Sequence, residues 1–210
     1  KVKAIFVNSN TIQCISPQYN QLEAVEVAVT NNALDYIDCP SNFTYYMPLF
    51  LKTISPLSGN VAGGTEVTIT GENFVENSSL YCLFGKERAT ANVVSKTKLI
   101  CISPPASTPR EVEVSLLCYQ DTFSMTSITF KYENDITLID IHPSFSTGDV
   151  VKMVKVRGYY FFNSEMLCCM VGSTLSSARF ISTTEVMCTL PIYSESQSFN
   201  ITVANNCQDF

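Results

Sequence analysis

Three short segments of the chain repeat: "NTIQCISP" (10–17), "TKLICISP" (97–104) and "TEVMCTLP" (184–191). Their cysteines, Cys14, Cys101 and Cys188, stand 87 residues apart (101 − 14 and 188 − 101). The same shift carries Val25, Val27 and Val29 onto Val112, Val114 and Leu116, and then onto Phe199, Ile201 and Val203. It also carries Ile54, Pro56, Gly71, Phe74, Cys82 and Gly85 onto Ile141, Pro143, Gly158, Phe161, Cys169 and Gly172. An ungapped internal register over this length constrains the fold more than any single motif: the chain must be a row of similar small units. Residues 1–47 read as the back half of one unit, 48–133 as a complete unit and 134–210 as a third lacking its last strand, because Phe210 corresponds to Phe123. The chain therefore reads as a window on an array. The junctions at 46–50 and 133–137 are short and not Gly/Ser-rich, so neighbouring units are expected to pack end to end.

Within the complete unit the pattern is that of strands. Candidates are 51–55, 65–71, 79–84, 86–94, 98–103, 111–117 and 127–133, with turn residues between them and helical periodicity nowhere. In "REVEVSLL", Val112, Val114 and Leu116 alternate with Glu111, Glu113 and Ser115, so one face is buried and one is wet. "LKTISPLSGNVAGGTEVTITGENF" (51–74) holds four of the eight glycines. A phosphate-binding loop would need a helix start behind Gly63-Gly64. The chain continues instead with the β-branched alternation Thr65–Thr70, so the glycines make a turn that feeds a strand. The fold class is all-β, a tandem of β-sandwiches.

Composition narrows the setting. A net charge of −6 and a pI near 4.8, with no basic cluster, argue against a nucleic-acid partner. No apolar run reaches membrane-span length, so no direct membrane insertion is expected in this segment. Nine Cys with no CxxC and a single His point to disulfides in an oxidising compartment, not to zinc. Three glycosylation sequons agree, at Asn42, Asn77 and Asn200. Phe199, Ile201 and Val203 take the inward positions of their strand, so Asn200 points outward, as a glycan requires.

"ISPLSGNVAGGTEVTITGENF", followed by "YCLFG" and "CISPP", resembles the IPT/TIG domain, whose pattern is I-x-P-x-x-G followed by G-G-T-x-V-x-I-x-G-x-x-F, and the resemblance implies that the tandem sandwiches are immunoglobulin-like. The middle unit matches nearly in full. The third keeps Ile141, Pro143, Gly158 and Phe161 without the Gly-Gly, and the first is represented only by its later strands. Such domains occur in plexins and Met-type receptor kinases, in long fibrocystin-like arrays, in microbial surface proteins, in Rel-type transcription factors and beside sugar-processing enzymes. The fold alone does not choose among these; the cysteines and sequons favour the extracellular branch. The resemblance implies a disulfide between Cys82 and Cys101 and, by register, one between Cys169 and Cys188. It leaves Cys14 to pair with a residue outside this stretch. Cys168 faces away from Cys169, and a bond to Cys207 in the last strand of the same unit suits it. Cys39 and Cys118 stay open between bonds across units, bonds to another chain and free thiols.

No catalytic constellation is legible, and no cofactor or metal is expected. His142, the only His, stands at the Ser55 position of the repeat, before Pro143, where a structural role is expected. Glu111 and Glu113 are the wet face of a strand. "NNALDYID" (31–38) has the nearest thing to calcium-loop composition and reads as a long hairpin loop. Binding surfaces are the better candidates. Tyr159, Tyr160 and Phe162 replace Glu72, Asn73 and Val75 of the sister unit, which suggests contact with a neighbour or packing within the unit. The apolar run Tyr45–Leu51 reads as the interface between units. The expected function is a non-enzymatic, extracellular, glycosylated array acting as a spacer, adhesion or filament component, with neighbouring units, other copies or a cell-surface protein as partners. The alternative is the stalk of a plexin- or Met-like receptor, with a membrane span and a catalytic domain elsewhere in the parent chain. A module beside a secreted enzyme comes third.

Overall fold

The computed structural model describes residues 1–18, 24–45, 47–75, 80–118, 122–145, 152–192 and 198–210, with backbone alone at 122 and 123. The chain divides into two compact units, Lys1–Pro48 and Leu49–Phe210. In the first, β1 (Ala4–Asn8) pairs with β2 (Thr11–Cys14), β3 (Ala24–Val25) with β6 (Phe43–Thr44), and β4 (Ala28–Val29) with β5 (Ile37–Asp38). These are three two-stranded ribbons. Every residue of β1 and β2 is exposed, because a lone ribbon has no second layer to bury its apolar face. The loop 30–36 joins the β4–β5 hairpin.

The second unit holds two sandwiches. The first contains β7 (Phe50–Ser55), β8 (Ser58–Asn60), β9 (Glu66–Glu72), β10 (Tyr81–Phe84), β11 (Glu87–Ser95), β12 (Lys98–Ile102), β13 (Arg110–Cys118), β14 (Thr122–Phe123) and β15 (Ile128–Glu133). One layer runs β7-β9-β12-β11 and the other β11-β10-β13-β15-β8. Strand β11 serves both: its start pairs with β10 and its end with β12. The second sandwich repeats the plan with β16 (Thr137–His142), β17 (Lys152–Tyr159), β18 (Cys168–Val171), β19 (Thr174–Ser182), β20 (Glu185–Leu190) and β21 (Ile201–Ala204), in the order β16-β17-β20-β19-β18-β21.

Alternation sets what each strand buries. Val67 and Ile69 of β9, Leu99 and Cys101 of β12, Cys82 and Phe84 of β10, and Val114 and Leu116 of β13 all point into the first core. Val154, Val156, Cys169, Val186, Cys188 and Val203 do the same in the second. The repeat is legible in individual backbone bonds. Gly71 N donates to Thr97 O and Gly158 N to Thr184 O, each at 3.0 Å. Gly85 N donates to Glu113 O and Gly172 N to Asn200 O, each at 2.9 Å. Gly85 and Gly172 turn their hairpins at φ 66° and 62°, in the left-handed region.

The structure departs from the sequence reading in two places. Ser58–Asn60, read as part of a turn, is a strand parallel to Lys131–Glu133. Its partner lies more than seventy positions away, so no local pattern announces it. The run Tyr45–Leu51 is not wholly an interface between units: Leu49 and Leu51 are buried in the core of the first sandwich.

Candidate interdomain joint

Buried polar side chains must find partners, so their location shows where a fold has been specified by hydrogen bonds. Among the described residues five polar side chains are buried: Ser58, Thr65, Ser103, Asn205 and Asn206. Ser103 Oγ accepts the Thr65 amide at 3.1 Å. The other four lie where the end of the second sandwich, 205–209, meets residues 58–66 of the first.

The loop after β21 is shaped before it makes this contact. Asn206 Oδ1 accepts the amides of Gln208 and Asp209 at 3.1 and 3.0 Å, while its Nδ2 donates to Asp209 Oδ2 at 2.7 Å. This is an Asn side chain closing a turn on its own backbone. Cys207 takes the left-handed conformation at φ 59°. A disulfide to Cys168 on β18 ties it down. Asn205 fastens the other side: Oδ1 accepts the Phe162 amide at 3.2 Å and Nδ2 donates to the Tyr160 carbonyl at 2.9 Å.

The preformed loop then reaches the first sandwich. Asp209 Oδ2 accepts from Thr65 Oγ1 at 2.7 Å and from Asn60 N at 3.1 Å. Gln208 pairs with the backbone of Glu66 in both directions, Nε2 to O and N to Oε1, each at 3.1 Å. Asn206 Nδ2 donates to Ser58 O at 3.1 Å. Thr65 is 0% exposed, so without Asp209 its hydroxyl would be buried and unmet. A Cβ at Gly59 would run into the Thr65 side chain and the Phe130 ring, so the receiving edge needs glycine there. Nearby, Lys131 Nζ lies 2.8 Å from Glu133 Oε1 and 5.1 Å from the centre of the Phe162 ring. Burial pushes the Glu133 carboxyl above the usual glutamate range, although Lys131 pulls the other way. The cleft beside Ser58, Asn60, Glu133 and Asp209 has a volume of about 30 Å³, room for water and little more. The joint is a fastening, not a ligand pocket.

Disulfides join Cys82 to Cys101 and Cys169 to Cys188, each bridging the two layers of a sandwich. Cys14, Cys39 and Cys118 form none. Asn42 and Asn200 are exposed, and Asn77 lies outside the described residues. Tyr159 and Tyr160 are half exposed with ring centres 6.4 Å apart. Phe162 is the one of the three aromatics brought against the neighbouring sandwich, through Lys131. His142 and Glu111 are exposed; Glu113 accepts from Ser127 Oγ at 2.6 Å and Thr129 Oγ1 at 3.2 Å, which makes it a strand-pairing group. Among the described residues no three His, Cys, Asp or Glu side chains gather as a metal site, and no helix is long and apolar enough to cross a membrane. The joint's own residues, Ser58, Thr65, Asn206 and Asp209, were not singled out by sequence reading. A signal existed: Asn-Asn-x-x-Asp occurs at both 31–35 and 205–209.

Two disulfide-pinned sandwiches of this topology define a class, and the sequence model of the IPT/TIG domain matches residues 49–132 and 137–209. The chain belongs to the IPT/TIG family. Plexin-A4 of Homo sapiens is 29% identical over 122 residues, 58% of this chain and 6% of that protein. A structure of the full plexin A4 extracellular region, domains 1 to 10, superposes with a TM-score of 0.55 at 21% identity, over 86% of this chain and 16% of that one. A second, with domains 1 to 8, gives 0.50 at 16% identity, over 98% and 28%. The chain thus spans a small part of each relative, and the two structures share its fold. Disulfides form and persist in oxidising compartments. With three of them and this likeness, the chain is extracellular or at the cell surface.

Proposed function

We propose that this segment is part of the stalk of a plexin-like receptor ectodomain, a non-enzymatic spacer whose sandwiches are held in fixed relation by polar joints. The observation that supports this is the seating of the 205–209 loop on the 58–66 edge. Five hydrogen bonds run from this loop to the first sandwich, and the loop is locked to its own domain by a disulfide. Interfaces between domains of one chain are ordinarily mobile; one whose polar centre is hydrogen-bonded out of water transmits orientation. In this reading residues 1–47 supply the back half of another IPT/TIG sandwich. Asn42, Asn77 and Asn200 carry N-linked glycans, and the partners are proteins: neighbouring units and a cell-surface ligand. The plexin likeness favours the stalk over the filament or adhesive array that the repeat and spare cysteines suggest by themselves.

Sedimentation of the natural full-length protein after mild detergent extraction, with and without reductant, separates the two. The stalk reading expects a discrete detergent-bound particle of unchanged size in reductant. A large assembly that reductant loosens would overturn it and make Cys39 and Cys118 candidates for bonds between chains.

A further inference from the structure

The loop that makes the joint has a twin in the first unit. Asn31-Asn32-Ala33-Leu34-Asp35 precedes Asn205-Asn206-Cys207-Gln208-Asp209 by two repeats of 87 residues (209 − 35 = 174). The likeness holds atom by atom. Asn32 Oδ1 accepts the amides of Leu34 and Asp35, both at 2.9 Å, and Asn32 Nδ2 donates to Asp35 Oδ2 at 2.6 Å. Asn206 makes the same three bonds within the joint. Ala33 stands at φ 63° where Cys207 stands at 59°. A left-handed alanine is disfavoured, so the Asn32 side chain holds the loop in a shape it would not otherwise keep.

The two copies differ in their surroundings. Asn206 is 3% exposed, seated on its partner, whereas Asn32 and Asp35 are exposed, in a unit with no buried residue among those described; Leu34 is 81% exposed, and its counterpart Gln208 is exposed too. In the middle unit the sequence places Cys118 and Tyr119 at the two Asn positions. A hairpin that only had to turn would need neither the aimed carboxylate nor an apolar side chain at its tip.

We infer that Asn31–Asp35 is a second docking loop, whose partner is the edge of another IPT/TIG sandwich equivalent to residues 58–66. That edge offers a carbonyl to Asn32 Nδ2 and an amide plus a hydroxyl to Asp35. The 58–66 edge of the first sandwich is already filled by Asp209, so the partner is a sandwich other than the first. Leu34 replaces Gln208, so this joint trades the paired backbone bonds at Glu66 for an apolar contact, and Ala33 leaves it without the disulfide. The partner edge therefore carries an apolar side chain where the first sandwich carries Glu66. The difference keeps each loop on its own edge.

The inference rests on the 205–209 joint, and the test separates the two. A benzophenone side chain replaces Leu34 in the natural full-length protein and, in a parallel sample, Gln208. Both are irradiated, and cross-linked peptides are identified by mass spectrometry. The expected result is a cross-link from 208 to the 58–66 edge and from 34 to the equivalent edge of a different sandwich. Adding Asp35→Ala, or independently Asn32→Ala, should lower the yield at 34 about tenfold, the loss expected when a charge-assisted contact is removed. A cross-link at 208 with none at 34, or one from 34 to an unrelated surface, overturns the inference alone. Failure at both positions overturns the joint itself.

Discussion

Tyr132 closes the aromatic cluster of the first sandwich, edge-on to Phe130 with ring centres 5.2 Å apart, and its hydroxyl donates to Pro104 O at 2.8 Å. It is 1% exposed, and burial pushes its phenol up to about 12. In the unfolded chain the phenol ionises near pH 10. Its contribution to stability is therefore whole below that pH and is lost as pH rises towards about 12. The loss is roughly 2–3 kcal/mol. Urea unfolding across this window should show the decline, and Tyr132→Phe should flatten it. Glu133 follows the same sign. Its carboxyl is raised by burial, so the stability it contributes is present below the ordinary glutamate range and lost as pH rises through its folded value. Glu133→Gln should raise Tm at neutral pH and have little effect near pH 4. An equal shift at both would assign the effect to packing instead.

At the scale of the element, Gly71 on β9 and Gly158 on β17 leave no room for a side chain. A Cβ at Gly71 would run into Phe50 O and the Phe74 ring; at Gly158 it would meet Thr137 O and the Phe161 ring. Gly71→Ala should cost roughly 1–3 kcal/mol or more by overpacking, read as a lower urea midpoint with an unchanged slope. The disulfides act differently, through the unfolded chain. Cys82–Cys101 spans 19 residues and Cys168–Cys207 spans 39. Replacing each pair by serine should cost about 3 and about 4 kcal/mol respectively. Only the second replacement should also loosen the joint, because Cys207 belongs to the docking loop.

At the scale of the molecule, the polar joint fastens the two sandwiches to each other. Asp209→Ala removes the acceptor from the Thr65 hydroxyl and the Asn60 amide and leaves Thr65 buried without it. The expected cost to the first sandwich is about 1.5–3 kcal/mol. Hydrogen exchange at the Asn60 amide should quicken, and X-ray scattering should show a broader spread of angles between the sandwiches. If exchange and scattering were both unchanged, the contact would be incidental to their arrangement.

The 87-residue register, the all-β class and the inward positions at Val112, Val114 and Leu116 were legible in the chain, because alternation and repetition are local and cumulative signals. The sandwich strands come close to their expected bounds for the same reason. The 58–60 strand and the joint were not legible. Each depends on partners far along the chain: Lys131 for Ser58, and Asp209 for Thr65 across 144 positions. An Asn or Asp side chain in a loop looks alike whether it faces water or a neighbouring domain. Sequence determined what this protein is built from; only the tertiary structure decided which of its polar loops is buried, since burial is a property of the surface that arrives from elsewhere.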